Sequence, residues 1–166
     1  MSFRLILPSL AALSLGGAAY ADSAKLLGKT GDWESFVYGD KTGKVCYTAS
    51  LPKRTMNKPK MRGEAHLTIT DRSADKSLGV VSVSEGFTVK KDGTTEIDIG
   101  GAKFDLFADG DTLWSRNDKP VIQAMLKGKT LMVYAPPGKG DQVVDTYSLD
   151  GFVQAYANIA KACGLH

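Results

Sequence analysis

The chain has 166 residues, with 21 Lys and Arg against 18 Asp and Glu and a formal net charge of +3. That excess is too small to supply the strongly basic face that nucleic-acid binding needs, so nucleic acid is not an expected partner. Length favours a single domain, and one of this size can bury a core without a structural metal.

Residues 1–21 read as an export signal. Arg4 supplies the positive start, Leu5 to Leu15 an apolar stretch, and Ala19-Tyr20-Ala21 a small-residue cleavage site. The expected organisation is a signal peptide over 1–21 and one β-rich domain over 22–166, beginning at Asp22. The apolar run is too short to span roughly 30 Å of hydrocarbon, and no later segment is long and apolar enough, so no transmembrane segment is expected after cleavage.

The domain reads mostly as short strands. Trp33 to Tyr38 alternates, then the turn Gly39-Asp40-Lys41-Thr42-Gly43 leads to Val45 to Leu51. The stretch Leu51 to Gly63 breaks the pattern. It holds Pro52, Pro59 and five basic residues with no acid, and reads as a surface loop. Ala65 to Thr70 returns to strand, with His66, Thr68 and Thr70 on one face. Val80 to Val89 follows, with Gly86 as a bulge or bend. Asp92-Gly93 signals a hairpin, and Glu96 to Ile99, Lys103 to Phe107 and Thr112 to Ser115 are further short strands. Their spacing argues for an antiparallel sandwich or barrel rather than βαβ units. Phe36, Tyr47 and Trp114 fit core positions.

Two helices are expected. Asp118 can cap a short one, with Pro120 in its first turn, Gly128 at its end, and Val121, Ile122 and Met125 on its apolar face. After strands at Thr130 to Ala135 and Val143 to Leu149, Asp150 can cap a terminal amphipathic helix that ends at Gly164. Phe152, Val153, Tyr156, Ile159, Ala160 and Cys163 form its inward stripe.

Cys46 and Cys163 are the only cysteines. An even pair in an exported chain reads as one disulfide, and an inward Cys163 can reach a strand cysteine; two separate buried thiols are the alternative. So long a closure would stabilise by about 4–5 kcal/mol.

Residues with chemical potential form no active site. Gly28-Lys29-Thr30 and Gly128-Lys129-Thr130 lack the upstream glycine of a phosphate loop. Ser73-Ala74-Asp75-Lys76 and Lys41-Thr42-Gly43 match motifs of penicillin-interacting serine enzymes, but in reversed order and in a turn. His66 has no second ligand at metal spacing, and His166 is terminal. Turn acids such as Asp109 and Asp111, or Asp92 and Glu96, read as solvated. No catalytic residue, metal or cofactor is expected. Lys53, Arg54, Lys58, Lys60 and Arg62 are the candidate partner-binding residues. They suit an acidic protein, lipid headgroups or a cell-surface polyanion, against the plainer reading of a solvated loop.

Several segments in order resemble the invasion-associated locus B family of small exported α-proteobacterial proteins. They are Gly31-Asp32-Trp33, the strand with Cys46, Phe104-Asp105-Leu106-Phe107, Asp111-Thr112-Leu113-Trp114, the helix Val121 to Leu126 with Lys127-Gly128-Lys129-Thr130-Leu131, and Asp145-Thr146-Tyr147-Ser148-Leu149 with Gly151-Phe152 and the terminal helix. The resemblance implies a β-rich fold with a C-terminal helix and a periplasmic or outer-surface location. It also implies a virulence-associated binding role in host-cell interaction or envelope function, toward a protein or envelope component. Family members often carry a further cysteine soon after the Gly-Asp-Trp motif; this chain has Val37 and Tyr38 there. A non-enzymatic binding protein is the expectation. A small-ligand carrier or enzyme with a site inside the sandwich is the alternative.

Overall fold

The computed structural model describes residues 23–39 and 43–165. The expected signal peptide, its cleavage before Asp22, the centre of the Gly39–Gly43 turn with the Lys-Thr-Gly match, and His166 lie outside them.

The described residues form eleven antiparallel strands and two helices: β1 (Lys25–Thr30), β2 (Trp33–Gly39), β3 (Lys44–Ser50), β4 (Arg54–Met56), β5 (His66–Arg72), β6 (Ser77–Ser84), β7 (Glu96–Ile99), β8 (Ala102–Asp109), β9 (Thr112–Ser115), α1 (Asp118–Met125), β10 (Thr130–Ala135), β11 (Val143–Ser148) and α2 (Phe152–Cys163). They form one open sheet in the order β1-β2-β3-β5-β6-β9-β8-β7-β10-β11-β4. The mainly antiparallel β architecture expected from the sequence is present, but the sheet does not close. Inward residues from both halves join one apolar cluster, from Trp33, Leu67 and Val83 to Ile97, Val133 and Tyr147. That shared core gives the sheet its sandwich-like character.

The helices cover the inner face. α1 buries Val121, Ile122 and Met125, and α2 buries Phe152, Ala155, Ile159 and Cys163. Phe152 meets Trp33 with ring centroids 4.8 Å apart. Gly164 ends α2 in the left-handed conformation, and the next amide, Leu165, bonds back to the Ala160 carbonyl, as a glycine stop requires. The N-terminal caps differ from expectation. Gly151, not Asp150, precedes α2, at φ 84°. A side chain there would collide with the Thr30 carbonyl, so the close approach of the β1–β2 turn selects glycine. Val153, expected inside, is 58% exposed, and Ala155 takes the inward position. Asn117 precedes α1, while the Asp118 carboxylate accepts the Val81 amide at 3.0 Å.

The inner face beneath α2 is partly polar. Ser35, Thr48 and Ser50 are buried there. Ser35 Oγ lies 3.3 Å from both Thr48 Oγ1 and the Ala155 carbonyl, and Thr48 donates to the Glu34 carbonyl at 3.0 Å. Small hydroxyl side chains let the helix backbone approach and satisfy one another there. The aromatics on the same strands therefore point outward. Phe36 and Tyr47 stack at 5.0 Å on the outer face, with Tyr38 edge-on at 6.3 Å from Tyr47. Trp114 likewise sits half-buried on the outer face, paired in register with Phe107 and Ser82. The core positions expected for Phe36, Tyr47 and Trp114 are thus corrected.

Candidate functional site: a clamped basic loop

The segment between β3 and β5 leaves its own neighbours and crosses to the far edge of the sheet. Lys53 donates its amide to the Thr146 carbonyl at 2.8 Å, and Arg54–Met56 then pairs with Val144–Thr146. The surface loop read from the sequence thus contains a strand. Thr55 faces inward and donates to Asp145 Oδ1 at 2.6 Å, while Arg54 and Met56 face out. Asn57 then donates to the Gln142 carbonyl at 2.8 Å.

The return of the loop is fastened by Arg62. Its side chain is 2% exposed and lies between Glu85 and Asp145, which are 1% and 0% exposed. Arg62 Nε donates to the Glu85 carbonyl at 2.6 Å, one terminal nitrogen to Asp145 Oδ1 at 3.0 Å, and the other to Glu85 Oε2 at 2.9 Å and to Asp145 Oδ2. Its guanidinium lies 5.3 Å from the Phe87 ring centroid. Next to it the Gly63 amide bonds to the Gly86 carbonyl at 2.8 Å. Gly86 has φ 67°, and a Cβ there would strike the Gly63 backbone, so glycine permits the two chains to meet.

One cation faces two carboxyl groups in this cluster. Burial, with the Asp145 carboxylate adding to it and Arg62 opposing, pushes the Glu85 carboxyl up to about 8. Glu85 is therefore mainly neutral at pH 7, and Arg62 and Asp145 form the ion pair. Burial works against the Arg62 charge, but the hydrogen bond and charge of Asp145, with Glu85, outweigh it and hold its pKa above the ordinary value. Burial, then Asp145 and Glu85, pushes the Tyr147 phenol well above its usual range. A carboxyl shifted this far is a recurring mark of catalytic sites. Here every polar partner is enclosed, and the guanidinium spends its donors on the chain itself. The arrangement holds a loop in place.

Clamping divides the five basic candidates. Arg62 is inside and cannot meet a partner, so it leaves the candidate surface. Its spacing from the other four matched a charged loop, and nothing local marks it as buried. Lys53 is exposed but pairs with Asp32 at 2.6 Å, and that hydrogen bond holds the Asp32 carboxyl below its usual range. Arg54, Lys58 and Lys60 are exposed, and none has an ion pair among the described residues.

Beside the loop, a groove of about 560 Å³ opens on the outer face of β2, β3 and β5, with Lys29, Glu34, Phe36, Lys53, Glu64 and His66 on its walls. Its cations are partly spent: Lys29 pairs with Glu34 at 3.1 Å, and Lys53 with Asp32. His66 is half-buried here on the outer face, and no group of three or more His, Cys, Asp or Glu suited to a metal occurs among the described residues. Ser73 is committed to structure: its Oγ accepts the Lys44 amide at 2.8 Å. Cys46 and Cys163 form a disulfide with Cα atoms 5.9 Å apart, joining β3 to the last turn of α2. Close by, buried Asp71 accepts the Gly79 amide at 2.7 Å, and burial raises its carboxyl despite that bond.

No protein-family model matches the sequence, and no curated protein matches it. The fold is similar to the crystal structure of invasion associated protein B from Bartonella henselae, with a TM-score of 0.59 and 16% identity over 84% of this chain and 97% of that one. The family whose ordered segments the sequence resembles is thus also the one whose solved fold it shares. Among the described residues, no helix is long and apolar enough to cross a membrane.

Proposed function

We propose that the chain is an exported, non-enzymatic binding protein of the invasion-associated locus B family. It works in the periplasm or at the outer surface, in host-cell interaction or envelope function. Its binding element is the loop between β3 and β5, which carries Lys53, Arg54, Lys58 and Lys60. The carrying observation is the Arg62 clamp. Buried ion pairs of this kind seldom add net stability over an apolar core, and in some proteins their role is to fix one geometry, which is the role we assign to this one. The geometry fixed here is that of an exposed basic loop. A loop held in one shape loses less conformational freedom on binding, which favours recognition of a partner. The export reading is supported by the disulfide, which belongs to oxidising compartments, and by the leader pattern over residues 1–21.

Two measurements test this. The intact mass of protein recovered from the periplasm should begin at Asp22 and be two hydrogens light. A chain beginning at Met1 in the cytosolic fraction overturns export. Immobilised protein should retain envelope material, and changing Lys53, Arg54, Lys58 and Lys60 together to Glu should weaken that retention. Unchanged retention removes the loop from the role.

A further inference from the structure

The exposed part of the loop is apolar as well as basic. Met61 is 94% exposed, and Leu51 and Met56 are also exposed. These residues interleave with Lys53, Arg54, Lys58 and Lys60, and no acid occurs from Leu51 to Gly63. The neighbouring outer face continues the pattern. Met56 is in register with Val144, and Val144 with Tyr134, giving an apolar row across β4, β11 and β10. Glu96 follows Tyr134 in register and ends the row; it pairs with Lys103 at 2.6 Å, and the Lys103 ammonium lies 5.8 Å from the Tyr134 ring centroid.

We propose that this loop and row seat on the surface of an anionic lipid bilayer. The proposal rests on the loop being the binding element and names its partner. A soluble polyanion could neutralise the cations, but it offers no apolar phase for Met61. An acidic protein would need a pocket shaped for it. A leaflet supplies both at once: headgroup charge for the cations and an acyl boundary for unbranched, flexible thioether side chains. Lysine stems can lie along that boundary with their ammonium groups among the phosphates. Tyr134 has the amphipathic character favoured at such interfaces. The attachment is peripheral, made by exposed side chains on a fixed loop.

Flotation of the processed protein with phosphatidylglycerol–phosphatidylethanolamine vesicles tests the proposal. Neutral phosphatidylcholine vesicles and a heparin column run in parallel. Binding should favour the anionic vesicles and fall with salt, since each cation near such a surface adds roughly 1 kcal/mol. Lys58→Glu with Lys60→Glu should lower partitioning roughly tenfold or more, and Met61→Ser should lower it several-fold with charge unchanged. Lys119→Glu with Lys161→Glu, which changes charge equally on the two helices, should leave it within twofold. Thermal melts check that each variant is folded. Equal binding to neutral vesicles, or an inert Met61→Ser, overturns the proposal. Heparin retention that needs Lys58 and Lys60 without vesicle binding also overturns it, while the loop reading stands. Loss of both kinds of binding overturns both.

Discussion

Removing the Arg62 guanidinium while keeping an apolar stem, as in Arg62→Met, should cost the domain about 3–5 kcal/mol, the range for breaking a buried ion pair from one side. The structure favours the lower end. Asp145 keeps its bond from Thr55, and a Met side chain can still pack on Phe87. With a urea dependence of about 2 kcal/mol per molar, a loss of ~3 kcal/mol lowers the midpoint by about 1.5 M at pH 7. The second half of the experiment separates the two acids. Glu85 keeps its proton in the folded chain at pH 7, above its ordinary value of 4.5, so Glu85→Gln removes a penalty and should leave the midpoint at pH 7 unchanged or raised. Adding Asp145→Asn to Arg62→Met removes the stranded charge and should recover at least ~1 kcal/mol, so the double variant is less unstable than the sum of the singles. The reasoning fails if Arg62→Met costs less than about 1 kcal/mol. It fails equally if Glu85→Gln and Asp145→Asn prove alike.

Other outcomes follow from the same features. Glu85 has its folded value raised to about 8, so its contribution is complete below its unfolded value and is lost as pH rises through the folded one. The unfolding free energy from urea titration should therefore fall between about pH 4.5 and 8, by an amount on the order of a few kcal/mol, and Glu85→Gln should flatten that fall. A slope unchanged in the variant assigns it elsewhere. Replacing Cys46 and Cys163 by Ser should cost about 5 kcal/mol, because the closed loop spans a separation of 117 residues; a cost below ~1 kcal/mol in denaturant titration contradicts the closure argument. Gly86→Ala should destabilise by about 1–3 kcal/mol through its left-handed backbone and the approach of Gly63. Amide exchange should show the loosening concentrated at residues 61–64.

The strand periodicity and the terminal helix were legible because both depend on neighbours in sequence. Alternation along Trp33 to Tyr38 identifies two faces, but it does not say which is inside. Hydrophobicity alone favours burying Phe36. Yet the helix that covers this sheet packs closely enough to select Ser35 and Thr48 for its side, where the hydroxyls find partners in each other and in the helix backbone. β4 was unreadable for a different reason. Arg54–Met56 is short and basic, and its partner strand lies about ninety residues away, as the Thr55–Asp145 separation of 90 shows. Arg62 was grouped with its basic neighbours because burial of a cation is decided by Glu85 and Asp145, which are 23 and 83 residues distant. The family resemblance reached the correct fold, while the clamp needed coordinates.

The same separations set an order of events as the chain is made from its N-terminus. The residues that form the loop emerge early, but Asp145 and the strand that receives Arg54–Met56 emerge near the end. Until then Arg62 has at most one of its two acids, and β4 has nothing to pair with. A segment from the first half of the chain is therefore among the last to set. The loop therefore takes its fixed shape only on a completed chain, and completion of the last strand sets the moment at which that shape exists.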